Sequence, residues 1–129
     1  GPAAVYVGAR PAGGRVSLVY PPGPGLPRSV YTNAGLLITE FDGSVDPSFI
    51  KKLTFTGTRI RDVVVNGDQG VWFSGEPHVL VYVDRNGSEF EDSERLAGNT
   101  LVWSHDGVTY RLECRCRPAK ALAIASTMR

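Results

Sequence analysis

Residues Asn99 to Cys116 read NTLVWSHDGVTYRLECRC, and the register of this stretch decides the fold. Asp106-Gly107 is a dipeptide that tolerates positive φ at both centres of a type I′ turn, and it sits between two apolar, β-prone runs. That is a hairpin. With those two residues at the tip, His105 lies opposite Val108, Trp103 opposite Tyr110 and Leu101 opposite Leu112, so the bulky residues of both strands share one face. Val102, Ser104, Thr109, Arg111 and Glu113 take the other face, which reads as mostly solvated, as in an antiparallel sheet covered on one side.

Working outward, the chain continues through Pro118, which suits the first position of a helix over Ala119 to Met128. Leu122, Ala125 and Met128 lie along one side of it, Ile124 widens the stripe, and the alanines allow close approach to a sheet. Upstream, Ala4 to Gly8 and Arg15 to Tyr20 read as strands. Pro21-Pro22-Gly23-Pro24-Gly25-Leu26-Pro27 lacks the amide hydrogens for a ladder and opens a mobile surface loop running to about Gly35. Leu36 to Phe41 is a strand ended by a turn at Asp42-Gly43. Asp46 as N-cap and Pro47 after it, with Phe49, Ile50 and Leu53 on one face, predict a short helix over Pro47 to Leu53.

Thr58 to Val65 and Gln69 to Ser74 flank Asn66-Gly67-Asp68, a second hairpin. A tip at Asn66-Gly67 sets Arg61 against Trp72; a tip at Gly67-Asp68 sets Val63 there, and pairing apolar with apolar favours the second. His78 to Asp84 is a further strand. The polar run Ser88 to Arg95 is an exposed edge or loop, and its acids Glu89, Glu91, Asp92 and Glu94 lack the glycine-centred loop of a calcium site. Several antiparallel strands, a short helix and a covering terminal helix make an α+β fold.

At 129 residues the chain is about one domain, and a formal net charge of +1 gives no electrostatic reason to expect nucleic acid. Arg111, Arg115 and Arg117, with Lys120 beyond, read as a solvated strand face. Gly1-Pro2 reads as the remnant of a cleaved tag, leaving residues 3–129 as a single domain. No run approaches the roughly 18 apolar residues of a membrane span.

Chemistry is sparse. Cys114 and Cys116 share parity with Val108, Tyr110 and Leu112; two extended residues place their Cα atoms about 6.6 to 6.8 Å apart, at the upper limit of disulfide geometry. Two buried thiols, a disulfide made through a bend before Pro118, and metal or intermolecular pairing all stay open. A metal would have to recruit His78 or His105, since Cys-x-Cys supplies half of a tetrahedral set. Ser104-His105-Asp106 has the letters of a triad, but strand neighbours point to opposite faces. No glycine-rich phosphate loop is present. No catalytic residue, metal site or cofactor is therefore expected. Trp72, Tyr82, Trp103 and Tyr110, with His78, are the residues best placed to line an apolar ligand groove between sheet and helix; as core aromatics they need no further role.

VVVNGDQGVWFSGEPHVLVYVD, then RLAGNTLVWSHDGVTYRLE and AKALAIASTMR, together resemble a bacterial domain family of unknown function. Its pattern is a strand ending in V-N-G, an aromatic-rich strand, a G-x-P-H turn, L-A-G-N-T-L-x-W, T-Y-R-L-E and an alanine-rich closing helix. The match covers about Val63 to Met128, and Cys-x-Cys is outside the pattern. The resemblance implies a curved antiparallel sheet covered by helices, distantly like the lipoprotein-carrier and sigma-regulator sensor folds. It also implies the extracytoplasmic C-terminal part of a single-pass, anti-sigma-factor-like membrane protein, with an N-terminal anchor upstream. The expected role is a non-enzymatic sensory or interaction domain with a protein partner; the alternative is a carrier or receptor for a small apolar ligand such as a lipid. An oxidising compartment would favour the disulfide.

Overall fold

The computed structural model describes residues 4–9, 13–30, 32–45, 58–75, 81–84, 86–87, 89–91 and 99–128. In chain order the strands are β1 (Ala4–Gly8), β2 (Arg15–Tyr20), β3 (Leu36–Val45), β4 (Thr58–Val65), β5 (Asp68–Gly75), β6 (Val81–Asp84), β7 (Glu89–Glu91), β8 (Thr100–His105) and β9 (Val108–Cys114). One helix among the described residues, α1 (Pro118–Ser126), closes the chain. Seven strands form an antiparallel sheet in the order β1-β2-β3-β9-β8-β5-β4, which does not close; β6 pairs with the far end of β3, and β7 pairs with β6.

The β8–β9 hairpin has the expected register. His105 pairs with Val108, Trp103 with Tyr110 and Leu101 with Leu112, around a tip in which Asp106 and Gly107 have φ of 50° and 80°. The side chains follow the pairing. Leu18, Ile38, Leu112, Leu101 and Trp72 stand cross-strand from one another on β2, β3, β9, β8 and β5. They share a core cluster with Leu36, Val65, Trp103, Cys114 and, from α1, Ala121 and Ala125. Fully burying each of Leu101 and Leu112 contributes about 2 kcal/mol.

The helix contacts β4, β8 and β9. Its two most deeply buried residues are alanines, with Leu122, Ile124 and Met128 packed part-buried against the cluster. The buried stripe is therefore turned toward Ala121 from the expected Leu122, Ala125 and Met128, because methyl-sized side chains let the helix axis come close.

Three expectations are corrected. The second face of the central hairpin is not solvated: Val102, Thr109, Arg111 and Glu113 are all buried, joined by Thr39, Phe41, Phe73 and Thr100, while Ser104 alone of the named set is exposed. Partners offset the cost of burying polar groups. Ser17 and Thr39 hydroxyls lie 3.4 Å apart, the Thr109 hydroxyl donates to the Gly43 carbonyl, and Arg111 faces Glu113.

The β4–β5 hairpin turns at Asn66-Gly67, with φ of 51° and 87°, so Arg61 and not Val63 pairs with Trp72. The asparagine's tolerance of left-handed backbone outweighs apolar matching. Finally, β3 does not end at Asp42-Gly43. Asp42 is its last residue paired to β9 and Gly43 its first paired to β6, at φ 143°, a conformation open to glycine.

The proline-rich loop is irregular but internally bonded. Gly23 and Leu26 exchange two backbone hydrogen bonds, the Ser29 amide donates to the Ala34 carbonyl, and Leu26 packs against the core cluster. The helix expected over 47–53 and the strand residues 78–80 lie outside the described residues, as do 88 and 92–95 of the acidic run. Glu89–Glu91 of that run forms β7.

Candidate functional site

Three of the aromatic residues expected to line a groove are gathered in the core, Trp72 and Trp103 within its cluster and Tyr110 packed against it. Trp103 and Tyr110 stack on each other with ring centroids 5.2 Å apart and planes 13° from parallel, and Trp103 is only 5% exposed. Their cross-strand register on β8 and β9 produces that stack. Burial raises the Tyr110 phenol above its ordinary value, and the carboxylates of Glu40 and Asp106 push it the same way. Tyr82 has its backbone in β6, and His78 lies outside the described residues.

Trp72 borders an opening. The groove there is open to solvent, has a volume of about 640 Å³ and is built from three segments: Arg59, Ile60 and Arg61 of β4, Trp72 and Ser74 of β5, and Asn99 with Arg115 to Pro118 between β9 and the helix. Strand order brings these segments together. Arg59 and Arg61 sit cross-strand from Ser74 and Trp72, so both share the side of the edge strand that Trp72 occupies on its neighbour.

The third wall is shaped by the cysteines. Cys114 and Cys116 are joined by a disulfide whose Cα atoms are 5.2 Å apart, shorter than two extended residues would place them, because the chain bends after Cys114. Asn99 ties this bend to the start of β8. Its amide side chain donates to the Cys116 carbonyl at 3.2 Å, and its own carbonyl accepts from the Cys114 amide at 3.4 Å. Arg115 and Arg117 are exposed beside the bend, and Arg117 is the N-cap of α1 without a side-chain capping bond.

The Ser-His-Asp letters do not form a nucleophile and base. The Ser104 hydroxyl lies 3.0 Å from that of Thr109, while His105 faces Asp68 through Nδ1 at 2.8 Å and Asp106 through Nε2 at 3.2 Å. His105 instead links the two hairpin tips. Among the described residues no three His, Cys, Asp or Glu side chains converge as a metal site requires.

Two features escaped the sequence reading. Arg111 and Glu113 form a buried ion pair on one face of β9, Nε to Oε2 3.3 Å and Nη2 to Oε1 3.4 Å; opposite charges two apart on a strand were the available signal. The convergence of Arg59 and Arg61 with Arg115 and Arg117 had none, because it depends on long-range strand order. No protein-family model, curated protein or solved structure matches the chain.

Proposed function

We propose that this is a non-enzymatic sensory or interaction domain that acts on the extracytoplasmic face of the cell membrane, tethered through an anchor upstream. In this reading it regulates or scaffolds a protein partner, as the anti-sigma-factor-like resemblance implies, and its sheet curves beneath a helix laid on one face. The Cys114–Cys116 disulfide supports an oxidising compartment.

The observation that carries the reading is the contrast between the two ends of the sheet. β4, at one end, carries Arg59, Arg61 and Asp62, the charges that keep an edge strand from pairing with another chain. β1, at the other, is AVYVG with no charge, and its Val5, Tyr6 and Val7 are 56%, 63% and 80% exposed. A backbone edge that no other strand among the described residues pairs with, flanked by exposed apolar side chains, suits strand addition by a partner. A hollow of about 440 Å³ bordered by Tyr6, Val7, Val19 and Leu37 offers such a strand a place for a side chain.

The carrier reading draws support from Trp72 at the groove, but Trp103 and Tyr110, which an apolar ligand would need, are taken up by their mutual stack. The test places a photo-crosslinking residue at Val7 or at Val64, a valine 65% exposed on the charged edge strand, in the full-length protein in its own cells. Strand addition predicts a discrete crosslinked protein from Val7 that disappears with Val5→Lys. Crosslinking from Val7 no stronger than from Val64 overturns the proposal.

A further inference from the structure

We infer that the groove between β4 and the start of α1 binds a phosphate-bearing ligand. Four arginines, Arg59, Arg61, Arg115 and Arg117, line it, in a chain whose formal net charge is only +1. No carboxylate lines it among the described residues, and none of the ion pairs there involves these four side chains. Four like charges gathered on one concavity repel one another, and an anion between them removes that repulsion.

The chemistry selects the kind of anion. Each guanidinium presents five N–H donors in a planar fork that matches the oxygens of phosphate or carboxylate in pairs. A lone carboxylate has two oxygens and one charge, enough for two forks at most. A phosphate monoester brings three terminal oxygens and close to two charges, so it engages arginines from both β4 and the β9–α1 bend at once. Beside the charges lie Trp72, Cys116 of the disulfide and Pro118, an apolar wall for the organic part of the ligand. The first turn of α1 opens here with no acidic residue, so its amide dipoles add to the positive field. A volume of about 640 Å³ is that of a small-molecule site.

This site is separate from the β1 edge, so either inference can fail alone. The test is calorimetric titration of the full chain with phenyl phosphate and with benzoate. In parallel, co-sedimentation uses phosphatidylcholine vesicles with and without phosphatidic acid, whose headgroup is a phosphate monoester. Binding of phenyl phosphate assigns a soluble ligand; binding only to the phosphatidic acid vesicles assigns a lipid headgroup.

In either arm R61Q and R115Q should each weaken binding about tenfold, and raised salt should weaken it further. Arg28→Gln, whose guanidinium is held by Asn33 in the proline-rich loop, should leave binding unchanged. Far-UV circular dichroism confirms that the variants fold, which exposed arginines on a strand edge and a bend allow. The inference is overturned by no binding in either arm, by benzoate binding as tightly as phenyl phosphate, or by R61Q and R115Q behaving like Arg28→Gln.

Discussion

Replacing Glu113 by leucine tests whether the second face of the central hairpin is interior. Arg111 and Glu113 have side chains 1% and 3% exposed, with two N···O approaches of 3.3 and 3.4 Å. At that separation and an effective dielectric near 20, the attraction is about 5 kcal/mol, set against a desolvation cost of several kcal/mol for each ion. The pair as a whole is therefore close to neutral for stability. Removing one member is not neutral, because the other charge stays buried.

Glu113→Leu should cost about 3 to 5 kcal/mol, a large share of the roughly 5 to 15 kcal/mol that holds a domain folded. Adding Arg111→Met should restore most of the loss. Equilibrium urea unfolding of the wild type, both single variants and the double variant gives the cycle, with an unchanged denaturant slope showing that the native state is intact. A cost below about 1 kcal/mol for Glu113→Leu, the value of an exposed pair, would refute the burial of this face.

Gly70→Ala should destabilise by about 1 to 3 kcal/mol, since the added Cβ would lie 3.0 Å from the Val102 carbonyl oxygen and 3.1 Å from the Trp103 Cβ. A midpoint in urea equal to wild type would show that β5 and β8 can part there without loss. The raised phenol of Tyr110 adds a pH dependence. The unfolded chain ionises first as pH climbs past the ordinary tyrosine value, so the folded state binds more protons and stability falls from there up to the raised value. Unfolding free energies measured from pH 8 to pH 11 should show a steeper alkaline decline for wild type than for Tyr110→Phe; parallel curves would count against the assignment.

The parts of the fold legible in the sequence are those set by local chemistry. Asp106-Gly107 admits one tight turn, and the size alternation around it leaves one register in which Trp103 meets Tyr110. At Asn66-Gly67 two local rules disagreed, and the backbone preference of asparagine outweighed the matching of Val63 to Trp72. Charge misled at Arg111 and Glu113, because the rule that sends ions to water holds for each alone and fails when their shared strand face pairs them. The arginine groove was beyond local reading altogether. Arg115 and Arg117 look like a solvated tail until β5 and β4 are laid beside β8, more than 40 residues earlier in the chain than the bend they face.

That strand order has a consequence for how the chain assembles. The hairpin made last, β8 with β9, is inserted between β3 on one side and β5 on the other, so it is the keystone joining two ribbons synthesised before it. Until residue 114 has left the ribosome, β3 and β5 each present an unzipped flank, and the ribbons have no common interior to share. Completion must wait until β9 has been synthesised and proceed through contacts distant in sequence, which places its folding on the slow, millisecond-to-second side of small domains. A ribosome that stalls between Gly75 and Asn99 would hold two sticky half-sheets in place of a shortened protein.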